Sequence, residues 1–273
     1  MYPYLVRLGT LSIHTYGVLM VAGFLAAMGL TARAARQWPT SRALRPGEVA
    51  EWGSAAMLAS ILGGRLWYVA QYWDVFRRQV WEIPAIWHGG LVWYGGFLGG
   101  VLGTVVYAQL RGRSFAEILD QVIPFGVLGH AIGRVGCFFN GCCYGEPTTA
   151  WFGVVFPQFP EESRVPTQLI EAAGLVVLAL LLRCLQTPAR LARSGRVFAV
   201  YVFGYAVLRF VVEFTRGDQV IYWGPLTVPQ AVSLVSGSAA AVWLVLEWAQ
   251  HRSQLRVRPQ SGEGVRPQSG RGV

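Results

Sequence analysis

The residues best placed to do chemistry fall in one stretch, 129–145, which reads GHAIGRVGCFFNGCCYG. Arg134 stands there among small residues, at the end of a long apolar segment. Three aromatic residues, three cysteines and the sole asparagine of the chain, Asn140, follow it. Charge at membrane depth is expensive, so an intramembrane arginine is by default a candidate for function. Glycines at 129, 133, 136, 141 and 145 allow backbones to approach closely, or a loop to turn where other residues would clash. Two readings stand for the stretch: a functional site, or a snorkelling arginine at a helix end with a tight re-entrant turn behind it.

A second group lies further along. Tyr205, Arg209 and Glu213 are spaced i, i+4, i+8, so a helix puts them on one face. Arg209 and Glu213 could form a local ion pair that merely neutralises itself, or one that leaves guanidinium donors for a ligand. Arg134 and Arg209, with Arg65 as a third, around one cavity would suit a phosphate, because the guanidinium fork matches phosphate oxygens. In a membrane the obvious phosphate is a phospholipid head group. His88 and His130 are single histidines without metal-ligand spacing and read as structural. Cys137, Cys142 and Cys143 lack the Cys-x2-Cys pairs of zinc or iron–sulfur sites. They read as packing residues, with an outer-face disulfide as the alternative. No metal and no cofactor is expected. Glu171 is a weaker candidate for the same cavity.

Such residues need a membrane to hold them. The chain is 53% hydrophobic and 14% charged, against about 25% charged in soluble domains, which marks an integral membrane protein. Its net charge of +9 sits in loops and the C-terminal tail. That pattern orients a membrane protein and does not indicate nucleic-acid binding. No cleavable signal peptide is expected, since only Arg7 precedes the first apolar run.

A bilayer core of about 30 Å needs roughly 20 apolar residues per helix. Seven windows qualify: 16–34, 50–72, 90–110, 117–135, 167–185, 197–214 and 228–248. The fourth is the least regular, with Glu117 and Asp120 at its start and Pro124 inside. Arginines 33, 36, 42 and 45 follow the first window, 111 and 113 the third, and 183, 190, 193 and 196 flank the fifth connection. Arginines 252, 256, 258, 266 and 271 end the chain, while the alternate connections are balanced or acidic. The positive-inside rule then places the N-terminus outside and the C-terminus in the cytoplasm. The expected fold is an all-α membrane domain over 1–256 with seven transmembrane helices. Residues 137–166 would form a small outer-face cap that touches the membrane surface, and the repeats VRPQSGEG and VRPQSGRG in 257–273 a disordered tail. At 1.5 Å of rise per residue, Tyr16, Arg65, Tyr94, Arg134, Arg209 and Glu213 then share one layer in the outer leaflet.

At this point the chain resembles the prolipoprotein diacylglyceryl transferase family. The matching pieces are HTYG at 14–17, ILGGRLWYV at 61–69, GGLVWYGGFLGG at 89–100, the 129–145 stretch, PTQLIE at 166–171 and GYAVLRFVVEFTRGD at 204–218. The resemblance runs to the last helix and leaves only the tail uncovered. It implies a bacterial inner-membrane enzyme that moves the diacylglyceryl group of phosphatidylglycerol onto the lipobox cysteine of a prolipoprotein, releasing glycerol 1-phosphate. Its partners would be phosphatidylglycerol, lipobox segments and membrane lipids. By the same resemblance Arg134 is the arginine that binds the head group and Arg209 a second essential arginine. Glu213, Tyr205, Tyr16, Asn140 and Gly145 match other motif positions.

The chain also departs from the family pattern. Tyr94 stands where many members have a histidine proposed as the base for the thiol, and a phenol with a reference pKa around 10 is a poor base. Tyr94 is therefore a candidate for catalysis or for substrate positioning, with Glu213, a water or a phosphate oxygen as the other acceptors of the proton. Cys137 replaces a common asparagine and Cys142 a common acidic residue, while Val165 and Ile170 replace a histidine and a tyrosine. Two rival readings are a divergent member with another acceptor or no activity, and a small lipid transporter or scramblase. A transporter would carry polar residues through the whole bilayer, whereas the inner halves of the first, third and sixth windows are almost wholly apolar.

Overall fold

The computed structural model describes residues 4–8, 11–38, 42–186, 194–218 and 222–257. All seven apolar windows are helical: α1 (Thr15–Ala35), α2 (Glu48–Gln71), α4 (Trp93–Leu110), α5 (Phe115–Asn140), α6 (Thr167–Leu185), α7 (Arg196–Glu213) and α8 (Val228–Val257), with a single-turn α3 (Trp73–Phe76) after α2. In lipid the backbone must satisfy its own hydrogen bonds, so apolar windows of this length fold as helices. By length and composition α1, α5, α6 and residues Val228–Gln250 of α8 can cross a membrane. Large apolar side chains such as Leu58, Leu62 and Leu102 point outward from α2 and α4. The chain is a mostly helical, multi-pass membrane protein.

Strands were not expected, yet among the described residues three antiparallel strand pairs occur: β1 (Tyr4–Leu8) with β2 (Leu11–His14), β3 (Val154–Val155) with β4 (Ser163–Arg164), and β5 (Tyr222–Trp223) with β6 (Leu226–Thr227). They lie before α1 and in the connections α5–α6 and α7–α8, where the periodicity of the helices carries no information. The cap also begins later than expected, because Cys137 to Asn140 are still the last turn of α5. It has a core of its own: Phe156 is fully buried, and the Arg164 guanidinium lies 3.7 Å over the Phe159 ring. Trp151 is exposed. Apart from Val257, which ends α8, the repeat tail lies outside the described residues.

α5 is the central post, with α1 packed along one side and α6 and α7 on the other; α2 packs along α4, and α7 along α8. The α1–α5 crossing depends on glycine. A Cβ on Gly23 would sit 2.7 Å from the Gly129 carbonyl oxygen, and one on Gly129 would sit 2.8 Å from that of Gly23. Small residues let membrane helices gain van der Waals contact that larger ones prevent.

The polar start of α5, which made its window irregular, is a joint. The Asp120 carboxylate accepts hydrogen bonds from the backbone N–H groups of Gly195 (2.7 Å) and Phe198 (2.8 Å), capping α7 from another helix. Gln121 pairs with both backbone groups of Leu44, at 3.1 and 3.0 Å. Asp120→Ala would leave buried N–H groups of α7 unmet, a loss of about 1–3 kcal/mol. The variant is expected to lower the thermal midpoint in detergent. An unchanged midpoint would mean that α7 is held by packing alone.

Candidate functional site

The sequence around Arg134 ends α5 in a specific way. Gly141 takes the left-handed conformation (φ 76°, ψ 16°), and the Cys142 N–H returns to the Cys137 carbonyl at 3.2 Å, closing the last turn. The chain then passes between two other loops. Gly145 N–H donates to Val165 O at 2.9 Å, and Glu146 N–H to Thr215 O at 3.0 Å. A Cβ on Gly145 would lie 2.6 Å from both the Val165 and Thr215 carbonyl oxygens. Only glycine fits where three backbones meet, so Gly145 ties the segments following α5 and α7 to the one preceding α6.

Between α1, α5 and the start of α4 lies a cavity of about 620 Å³. Its wall runs along α5 from Asn140 to Gly126, about 21 Å at 1.5 Å per residue. The wall changes character over that length. At one end, by the last turn of α5, stand Tyr16, Arg134, Asn140 and the three cysteines, and further along Gly23, Phe24, Ala27 and Gly129, with His130 the one ionisable side chain at that depth. A molecule with a polar head and a long apolar chain matches this gradient.

Arg134 does not stand alone. Its Nη2 lies 3.0 Å from Glu171 Oε1, and the Tyr205 hydroxyl donates to the same oxygen at 3.4 Å. Arg209 Nη2 lies 2.6 Å from Glu213 Oε2, and the Thr227 hydroxyl donates to Glu213 Oε1 at 2.9 Å. Thr227 is itself held by a capping box at the start of α8: its N–H donates to Gln230 Oε1 at 3.1 Å, and Gln230 N–H returns to Thr227 Oγ1 at 3.3 Å. Both carboxylate side chains are 2% exposed. Tyr205 also packs on His130, with ring centroids 5.6 Å apart, which joins the α7 face to the cavity wall.

Each arginine is thus neutralised by a carboxylate and acts as an oriented donor, not as surplus charge. Each also retains a buried N–H donor without a hydrogen-bond partner, Arg134 Nε and Arg209 Nη1. An unmet buried donor of a charged group costs at least about 1–3 kcal/mol, which an incoming anion would recover.

The residues expected from sequence separate into three sets. Tyr16, Arg134 and Asn140 line the cavity, while Tyr205, Arg209 and Glu213 form a buried polar layer behind it, joined to it through Glu171 and His130. Gly145 shapes the loop next to it. Arg65 and Tyr94 are not brought to the cavity wall. Arg65 is buried and spends its guanidinium on the backbone carbonyls of Glu82, Ile83, Gly89 and Gly90, with Nε to Ile83 O at 2.8 Å and Nη1 to Gly89 O at 2.6 Å. Tyr94 is 58% exposed, and the residue of its turn that reaches the rim is Trp93. Glu171 and Thr227 are stronger parts of the site than sequence suggested. Glu171 carried one signal, a carboxylate within an apolar helix; Thr227 carried none beyond the capping-box spacing TVPQ.

The sequence has counterparts among known proteins. The family model described as prolipoprotein diacylglyceryl transferase matches residues 3–246. Relatives named phosphatidylglycerol–prolipoprotein diacylglyceryl transferase include one from Acaryochloris marina, 32% identical over 255 residues, which cover 89% of this chain and 91% of the relative. Another, from Thermosynechococcus vestitus, is 33% identical over 237 residues, covering 84% and 87%. A third, from Clostridium tetani, is 33% identical over 241 residues, covering 86% and 93%.

Proposed function

Since this chain belongs to the prolipoprotein diacylglyceryl transferase family, we propose that it moves the diacylglyceryl group of phosphatidylglycerol onto the lipobox cysteine of a prolipoprotein. The seven long helices would cross a bacterial inner membrane, with the N-terminus and the cavity mouth on the outer side. The observation that carries the reading is the open buried donor of Arg134 on the wall of a cavity that is polar at one end and mostly apolar along the rest, with the open donor of Arg209 in the polar layer behind it.

In the reaction the acceptor thiolate attacks glycerol C3 of the diacylglycerol moiety. The C3–O bond breaks, a thioether forms, and the phosphate leaves as glycerol 1-phosphate with one more negative charge than it held as a diester. Arg134 and Arg209 would supply preorganised N–H donors to the oxygen that gains this charge, where a water-poor site makes such donors most effective. Glu171 and Glu213 orient the two forks and keep the empty site neutral. Tyr16 and Asn140 lie where they would contact the head group. The acyl chains would run down the apolar wall beside Gly23 and Gly129.

Tyr94, facing outward, would take no part in proton transfer. Tyr94→Phe is expected to leave turnover within about twofold, the size of an ordinary surface change, read by mass spectrometry of a lipobox peptide. A hundredfold loss would put the phenol back into the chemistry.

The test of the whole reading is purified protein in phosphatidylglycerol liposomes with a lipobox peptide. The peptide should gain the mass of a diacylglyceryl group, and a Cys-to-Ser peptide should not. A protein that binds the lipid yet yields no product in this assay would refute the assignment.

A further inference from the structure

Cys137, Cys142 and Cys143 are separated by x4 and by nothing in the sequence, and that spacing resembles no familiar metal motif. Folded, their sulfur atoms all lie within 4.8 Å of one another. Two features bring them together. The Gly141 turn folds the chain back over the end of α5, and Cys143 itself is the only non-glycine residue with positive φ (62°) among the described residues. The start of α6 then clamps the turn: Thr167 Oγ1 donates to Cys143 O at 2.7 Å and Gln168 Nε2 to Cys142 O at 2.6 Å. All three cysteines are free, and all three face the cavity.

Three converging thiols of this kind are a ligand set for a soft or borderline cation. Tetrahedral zinc–thiolate bonds of about 2.3 Å need sulfurs about 3.8 Å apart. Closing the present spacing to that value takes about 1 Å, within the reach of cysteine χ1 rotation. The charges suit it too. A divalent ion with three or four thiolates is net negative, and the guanidiniums of Arg134 and Arg216, already paired with Glu171 and Asp218, stand beside these thiols as N–H donors. The cavity side supplies an open fourth position, the mark of a catalytic rather than a structural zinc site.

The surrounding groups give that position a use. Among the described residues the cavity wall holds no carboxylate, and its one imidazole, His130, lies seven residues below Cys137 along α5, about 10 Å deeper. A thiol arriving at the mouth therefore meets no ordinary base there. We propose that Cys137, Cys142 and Cys143 bind a divalent d10 cation, zinc or a chemical equivalent, whose open position takes the acceptor thiol and holds it as a thiolate. The thiol proton goes to water as the sulfur binds the ion. The bound sulfur's electron pair then forms the bond to glycerol C3, and the C3–O electrons leave with the phosphate, so the ion itself is neither oxidised nor reduced. The use as thiol activator rests on the transfer reaction proposed above, whereas the ion site does not.

The experiment starts from the full-length protein in detergent, stripped with a chelator and titrated with Zn²⁺, then with Cd²⁺ as an absorbing substitute. Wild type should bind one equivalent and show the ultraviolet thiolate-to-cadmium charge-transfer band. Cys137→Ser, Cys142→Ser and Cys143→Ser should each weaken binding by on the order of 100-fold or more. Cys184→Ser, at the far end of α6, should bind as wild type. Labelling with a maleimide should find the three thiols protected by zinc and released by chelator. Stripped wild type should lose transfer and regain it with zinc. Absence of the band, binding that survives the serine variants, or a disulfide among the three cysteines overturns the ion site. A stripped enzyme that transfers at the wild-type rate overturns the thiol-activating use and leaves the transferase reading intact. Bound zinc at the three thiols without any transfer would instead count against the transferase reading alone.

Discussion

Arg134→Ala is expected to lower diacylglyceryl transfer by at least 10²–10³-fold, the effect of removing one preorganised donor from a developing oxyanion. The alanine does a second thing. Glu171, with a side chain 2% exposed, loses its partner at 3.0 Å. Breaking a buried pair by deleting one member costs about 3–5 kcal/mol, because the remaining charge is stranded. Lost turnover in Arg134→Ala could therefore come from misfolding. The double variant Arg134→Gln/Glu171→Gln separates the two effects, since it leaves a neutral, hydrogen-bonding pair in place. Its thermal midpoint should return toward wild type while its turnover stays at the level of the single variant. Substantial recovery of turnover would show that Arg134 only balances Glu171, and that the leaving phosphate is stabilised elsewhere.

Arg209→Ala is expected to have the next largest effect, again on the order of 10²–10³-fold. Here the stranded carboxylate is Glu213, which keeps the Thr227 hydroxyl at 2.9 Å, a closer donor than the Tyr205 hydroxyl left to Glu171 at 3.4 Å. The fold should suffer less than in Arg134→Ala, and the loss should appear in kcat more than in KM for lipid. Arg209→Lys retains the charge but not the fork, and its ammonium is a compact point charge on a flexible stem. It is expected to recover only part of the rate, whereas a charge-only role predicts full recovery. Liposome assays across phosphatidylglycerol concentrations distinguish these outcomes. An Arg209→Ala enzyme with unchanged kcat would remove α7 from the chemistry and leave its polar face a self-neutralised pair.

The polar layer behind the cavity also explains how an enzyme of this shape can exist in a membrane. Two buried ion pairs and a buried capping aspartate are costly in lipid; the Arg209–Glu213 pair is made within α7, and the other two groups are placed where another helix supplies the partner. Asp120 is met by backbone N–H groups of α7, Glu171 by Arg134 on α5, and Glu213 by Thr227 at the start of α8. The helices are thereby specified against sliding, since a shift of one residue would strand a charge.

Much of this protein was determined by sequence alone. The helical state of the seven apolar windows follows from their length and composition, because a backbone in apolar surroundings satisfies its hydrogen bonds best as a helix. The face shared by Tyr205, Arg209 and Glu213 follows from helical periodicity, and the Arg134 stretch stood out because charge among apolar residues is rare. What only the tertiary structure decided is which partner each polar group found. Arg65 and Arg134 look alike in sequence, each an arginine near a helix end among glycines. One caps four loop carbonyls and the other faces a cavity, because their neighbours come from distant segments. Trp93 and Tyr94 are adjacent, and a rotation of about 100° between successive helical residues put the tryptophan at the rim and the tyrosine outside. The cysteines gather for the same kind of reason. A left-handed turn at Gly141 and two hydrogen bonds from α6 bring their sulfurs together. Helices arise from contacts three and four residues apart, which sequence displays. Sites arise from contacts between helices, which it does not.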